Sequence, residues 1–199
     1  MGYVASDVSD LQASFYEAAA NSDMWPEILQ KFACTFRSRG CLLTTPNFMP
    51  GGIPHSPGMR DVLDQFFSEE WHTRDLRTNL GRSKRLTGGF FCDQDLLSRE
   101  EIETSDYYHG FARNAGVPWF SAAVLTGHFH NDFIAISLQR SASDGAFAKD
   151  ELIRLNALLP QLRNATDLAR KLANLRGKSI TDGLSLAAVP AILLDRTGK

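Results

Sequence analysis

The chain has 199 residues, enough for one well-buried domain with some chain left over. Its hydrophobic fraction of 43% and charged fraction of 22% are those of an ordinary globular protein. The 21 basic and 23 acidic residues leave a formal net charge of −2, which gives no electrostatic reason to wrap nucleic acid. Cys34, Cys41 and Cys92 are odd in number and form no CxxC pair, which argues against a disulfide framework and for reduced thiols in a cytoplasmic protein. The N-terminus has no signal-peptide pattern. The longest apolar run, Val189 to Leu194, is broken by Pro190 and is far too short to cross a membrane.

The first helix is expected near Ser9, where Ser9 and Gln12 fit a capping box and Leu11, Phe15, Ala18 and Ala19 share a face. Asn21-Ser22-Asp23 breaks it. A second helix carries Pro26 in its first turn and Ile28, Leu29, Phe32 and Phe36 as its stripe. Gly40 releases the chain into a short buried strand, Cys41 to Thr45. Pro46 to Gly58 reads as a surface loop. A third helix is expected from Met59 to Trp71, followed by irregular structure over the basic, polar stretch Arg74 to Thr87 and a short strand at Phe90-Phe91.

Ser98-Arg99-Glu100-Glu101 is a capping box that opens a helix continuing toward Phe111, with Gly116 at its C-terminal side. Val117 to Thr126 and Phe129 to Arg140 are the clearest strands, joined by a hairpin turn near Gly127-His128. A long helix follows Phe147. In it Leu155, Leu158, Leu162, Ala165, Ala169 and Leu172 recur at alternating spacings of three and four, with Pro160 inside and Gly177 as the expected end. Such a seam could simply cover the sheet of its own domain, but the stripe continues after Pro160, beyond what one small domain needs, so self-association into a homodimer through this helix is the expectation. The order of elements predicts an α+β fold: an antiparallel sheet flanked by helices, of PAS or GAF type, with the helices to one side and a long C-terminal amphipathic helix.

Few residues point to chemistry. His128, His130 and Asp132 would share a side of a strand, yet nothing supplies further ligands, so a polar hairpin tip is the plainer reading and no metal or other cofactor is expected. Cys92 beside Asp93, with His72 or His109 elsewhere, is better read as a structural thiol than as a nucleophile. GxSxG, GxGxxG and phosphate-loop motifs are absent. The aromatics Trp71, Tyr107, Tyr108, Phe111, Trp119 and Phe120 gather around the expected helix-to-sheet junction and are the candidate ligand-binding residues, although Trp119 and Phe120 cannot both face inward on a regular strand.

Several stretches together carry a resemblance: Trp25-Pro26-Glu27-Ile28-Leu29; Trp71 with Arg74-Asp75-Leu76-Arg77; Phe91 to Ser98; Tyr107 to Phe111; Gly116 to Trp119; Ile136 to Ser141; Gly145-Ala146-Phe147; and Leu158 to Leu162. In this order they resemble the N-terminal sensor region of LuxR-type helix-turn-helix regulators whose sensor is PAS- or GAF-like. The chain departs from that pattern at Leu76, Ala146 and Gln161, where the family often has proline, proline and histidine. The resemblance implies a sensor domain over 1–147, a connecting and dimerisation helix over 148–177, and the start of a second PAS-like segment over 178–199. It implies a regulator rather than an enzyme, responsive to a small-molecule effector or a partner, which reaches DNA only through a C-terminal domain outside these residues. A purely structural dimerisation module is the alternative, and an enzyme on the same scaffold a further one. A cavity beneath Trp119 or Phe120 separates the sensor from the structural module.

Overall fold

A computed structural model of the protein describes residues 5–44, 53–128 and 132–186, with side chains over 10–44, 53–127 and 133–176. Helices α1 (Ala5–Ala20) and α2 (Trp25–Thr35) lead into β1 (Gly40–Thr44). Helices α3 (Arg60–Ser68) and α4 (Leu76–Ser83), the short β2 (Phe91–Cys92), the single turn α5 (Asp93–Leu96) and α6 (Arg99–Thr104) follow. The hairpin of β3 (Trp119–His128) and β4 (Asp132–Arg140) then leads to α7 (Lys149–Leu186). The strands form one antiparallel sheet in the order β1-β4-β3-β2.

Strand alternation sends successive side chains to opposite faces, and both faces are covered. Cys41, Leu43, Ala123, Leu125, Ile136 and Leu138 face α1, α2 and α7 and join their apolar stripes in the largest core cluster. Leu42, Phe120, Ala122, Val124, Phe133 and Ala135 face the other way, toward α3, α4 and the segment around Tyr107. The expectation of helices on one side is therefore corrected. The two-residue spacing of large apolar side chains on both faces of β3 and β4 requires a cover on each.

The long helix belongs to the first of these faces. Leu155, Leu158, Leu162 and Ala165 are fully or almost fully buried against α1, α2 and the sheet, Ala169 packs at the cluster's margin, and Leu172 is half-buried. The seam assigned to a dimer is thus consumed inside the domain, because the stripe that pairs two helices is the same stripe that covers a sheet. Pro160 lies on the exposed side, where the carbonyl left without its helical donor meets solvent. The helix passes through Gly177 and continues to Leu186, the last described residue, so Gly177 is not its stop. Residues 187–199, the greater part of the second PAS-like segment expected over 178–199, lie outside the described residues.

A buried ion pair fixes where α7 begins. Arg140, at the end of β4, donates from both terminal nitrogens to the Glu151 carboxylate, 3.0 Å to each oxygen, and from one of them to Phe36 O at 2.7 Å. Glu151 also accepts the Ala148 backbone N–H at 2.9 Å and an Arg37 N–H at 3.1 Å. Burial alone would raise the Glu151 pKa, but these donors outweigh it and bring it down to about 2. Strand β4, the end of α2 and the first turn of α7 are thereby locked together.

Two further expectations change. Arg74 to Thr87 is not irregular: Asp75 caps α4 by accepting the Thr78 N–H at 3.2 Å, and the helix runs to Ser83. The capping box at Ser98 is present, with Ser98 and Glu101 exchanging hydrogen bonds, but α6 stops at Thr104 and the chain continues through a π-helical turn at Tyr108–Ala112. Gly110 in that turn lies under the Trp71 ring, where a β-carbon would come within 2.8 Å of it. Gly116 ends the segment at φ +71°.

Candidate functional site

A cavity of about 90 Å³ lies between the sheet and its α3–α4 cover. Its floor is Leu42, Phe120, Ala122, Phe133 and Ala135, with Ser137 and Gln139 at one end of β4 and Thr44 at the end of β1. Its roof is Ile53, Met59, Val62, Leu63 and Phe66, closed at the side by Tyr107, Phe111 and Val117. Asp75, Arg77 and Thr78 at the start of α4 supply the remaining polar wall. An apolar chamber with a few placed polar groups is the usual form of a small-molecule site. The cap at Asp75 sets the first turn of α4 so that Arg77 points into the fold rather than to solvent.

Arg77 is the centre of a buried polar network, with its side chain 6% exposed. Its Nε donates to Asp93 Oδ1 at 3.0 Å, Nη1 to Gln139 Oε1 at 3.1 Å, and Nη2 to Pro118 O at 2.9 Å. Both terminal nitrogens also reach Val117 O at 3.4 Å. Asp93 accepts in addition from the Tyr108 hydroxyl and from the Phe120 N–H, the latter at 2.7 Å. Burial is the largest single effect and works against the Arg77 charge, but Asp93, Tyr107 and Tyr108 together more than offset it and hold the guanidinium firmly protonated. Burial pushes Asp93 upward, and Arg77, Tyr108 and the Phe120 N–H oppose that push. Gln139 passes the network on, donating to Ser137 Oγ at 3.2 Å. The guanidinium also lies 4.5 Å from the centre of the Phe120 ring.

Of the six aromatics singled out in the sequence, Tyr107, Phe111 and Phe120 line the cavity. Trp71 packs beside it, its ring 6.0 Å from that of Tyr107 and 5.8 Å from that of Phe111, with its indole N–H on Glu69 Oε2 at 2.8 Å. Tyr108 is fully buried behind the wall and bonds to Asp93. Trp119 is half-buried and does not line the chamber. Arg77, Asp93 and Gln139 fall within the stretches that carry the resemblance, but none of them was expected at a ligand site. The Asp75-to-Thr78 cap spacing was the one local signal that α4 exists, and hence that Arg77 is placed with purpose.

Cys92 is buried and bonds to Asp95; burial first, then the Asp95 charge, pushes its thiol up to about 12, so it is no thiolate nucleophile. All three cysteines are free thiols. Among the described residues no group of histidine, cysteine and acidic side chains is arranged to hold a metal. His130 lies outside them, as do the side chains of His128 and Asp132. No helix among them is long and apolar enough to cross a membrane.

No protein-family model matches the chain, and neither does any curated protein. Solved structures do. The VqsR LBD domain from Pseudomonas aeruginosa superposes with a TM-score of 0.59 at 16% identity, covering 82% of this chain and 96% of that one. CepR2 from Burkholderia cenocepacia, described as an N-acylhomoserine-lactone-dependent LuxR-family transcription factor, superposes with a TM-score of 0.58 at 14% identity, covering 84% and 96%. The α+β fold is therefore that of LuxR-type ligand-binding domains.

Proposed function

We propose that this chain is the sensory domain of a LuxR-type transcriptional regulator, that a small molecule held in the cavity between the sheet and α3 is what it senses, and that it is not an enzyme. The observation that carries this reading is the chamber itself, apolar on floor and roof and bounded by a few polar groups at α4 and β4. The fold likeness supports it, and CepR2's dependence on an N-acylhomoserine lactone makes an amphiphile with an apolar tail a natural candidate. A cavity under Phe120 speaks against the structural-module alternative, which calls for a filled core there. The type of sensor is the LuxR ligand-binding domain, and the finer likeness to PAS or GAF domains is not retained.

Signalling requires that the occupant bind one state of the domain more tightly than another. The sheet is the natural link, since β3 and β4 present the cavity floor on one face and the seat of α7 on the other. Self-association would then use the outer side of α7, where Leu168 and Leu175 are exposed, and not its buried seam. DNA contact, in the cytoplasm, would belong to a further C-terminal domain. Hexanamide titrated into the wild type and an Ala135→Phe variant tests the site. Thermal stabilisation of about 2.7 kcal/mol is expected at hundredfold excess over Kd in the wild type, and none in the filled variant. Equal stabilisation of both would place binding elsewhere and overturn the reading.

A further inference from the structure

A guanidinium in the wall of a ligand cavity ordinarily suggests a carboxylate or phosphate ligand, because its fork of donors matches such an anion. The donors of Arg77 are already committed. Its five N–H groups are matched by five contacts, to Asp93, Gln139, Pro118 and, twice, Val117. Its charge is neutralised by Asp93, which stands behind it, away from the chamber and 1% exposed. Among the described residues lining the chamber, Arg77 is the sole cation, and the one carboxyl group there is Asp75, which accepts from Thr78. An anion entering this space would lose its hydration, meet no uncommitted cationic donor and face Asp75.

We propose that the Arg77–Asp93 pair is a specificity device: it makes the cavity select uncharged molecules and reject anionic amphiphiles of the same shape, such as fatty-acid carboxylates. This rests on the reading of the cavity as a ligand site. In this role Arg77 is a wall held rigid from behind and not a ligand anchor. It ties α4 to the start of β3 and to β4, so that the polar end of the chamber has its hydrogen bonds satisfied before any ligand arrives. Removing the Asp93 charge frees the guanidinium to seek another counter-ion, and the cavity is the side from which one can come.

The experiment compares hexanamide with hexanoate at neutral pH by calorimetric titration, in the wild type and in Asp93→Asn. The pair share length and shape and differ in charge. The wild type is expected to bind hexanamide about a hundredfold more tightly than hexanoate, and Asp93→Asn to narrow or invert that ratio by raising hexanoate affinity about tenfold or more. Hexanoate binding to the wild type as tightly as hexanamide, with both displaced by Ala135→Phe, overturns the specificity device while leaving the ligand cavity in place. Binding of neither probe overturns the cavity reading and the device with it. Should Asp93→Asn fail to fold, the wild-type ratio decides alone.

Discussion

The two faces of the sheet are built from the same strands and the same kinds of side chain, yet they end differently. On the face covered by α1, α2 and α7, small residues such as Ala123 and Ala165 let helices close down on the sheet, and Leu11, Leu155, Leu158 and Leu162 are left with no exposure or almost none. On the face covered by α3 and α4, Ala122 and Ala135 are just as small, but bulky Met59, Phe66, Tyr107 and Phe111 arch over them and leave a void. One face stabilises the domain and the other keeps room for a guest. Each face also carries a buried arginine–carboxylate pair, Arg140–Glu151 on the closed side and Arg77–Asp93 on the open one. The first locks elements together. The second does the same while forming a wall of the cavity.

Substitutions on the closed face should be the most damaging. Leu162→Asp places a charge in the core between α1, α7 and the sheet and is expected to abolish folding, at a cost of about 5 kcal/mol or more, read as loss of the cooperative urea transition. A folded, merely monomeric Leu162→Asp protein would mean that the seam faces a second chain after all. Arg140→Ala, which strands the Glu151 carboxylate, should cost about 3–5 kcal/mol in the same measurement.

Acid should act on that same lock. Folding lowers the Glu151 pKa from an ordinary 4.5 to about 2, so its contribution is complete above the unfolded value and is lost as pH falls from about 4.5 to about 2. Stability measured through that window in the wild type and in Glu151→Gln should converge toward the acid end, and parallel curves would remove the ion pair from the account.

A pair of alanines sharpens the contrast between the faces. Ala123→Phe on the closed face should cost about 1–3 kcal/mol through overpacking, whereas Ala135→Phe, which points into the void, should cost less than about 1.5 kcal/mol. Equal penalties would mean that the two faces are packed alike. The smallest effect belongs to the outer side of α7. Leu175→Ala, 61% exposed, should change the stability of the monomer by no more than about 0.5 kcal/mol.

Much of this fold was legible in the sequence. The alternation in Ile134 to Leu138, the stripe of Ile28, Leu29 and Phe32, and the capping box at Ser98 each stand where local pattern puts them. The helix α4 was hidden because Leu76 to Ser83 has almost no apolar stripe and carries Asn79, Gly81 and two arginines. Its helicity comes from one cap and from what Arg77 gains inside. The Arg77–Asp93 contact joins residues 16 positions apart on different elements, and no local spacing announces it. The seam of α7 was visible, but its partner was not, since heptad spacing is blind to whether the covering surface is a sheet or another copy. Within the aromatic set, alternation forced Trp119 and Phe120 apart, and the structure places Phe120 on the chamber wall.

The most direct test of the central claim, that one face of the sheet receives a small molecule and the other does not, is methyl NMR of the wild-type protein during a hexanamide titration. The account predicts saturable shifts at Leu42, Val62 and Val117, which line the chamber, with Leu43, Leu138 and Leu158 on the opposite face left almost unmoved. Shifts confined to the α1–α2–α7 face, or none on either, would contradict it.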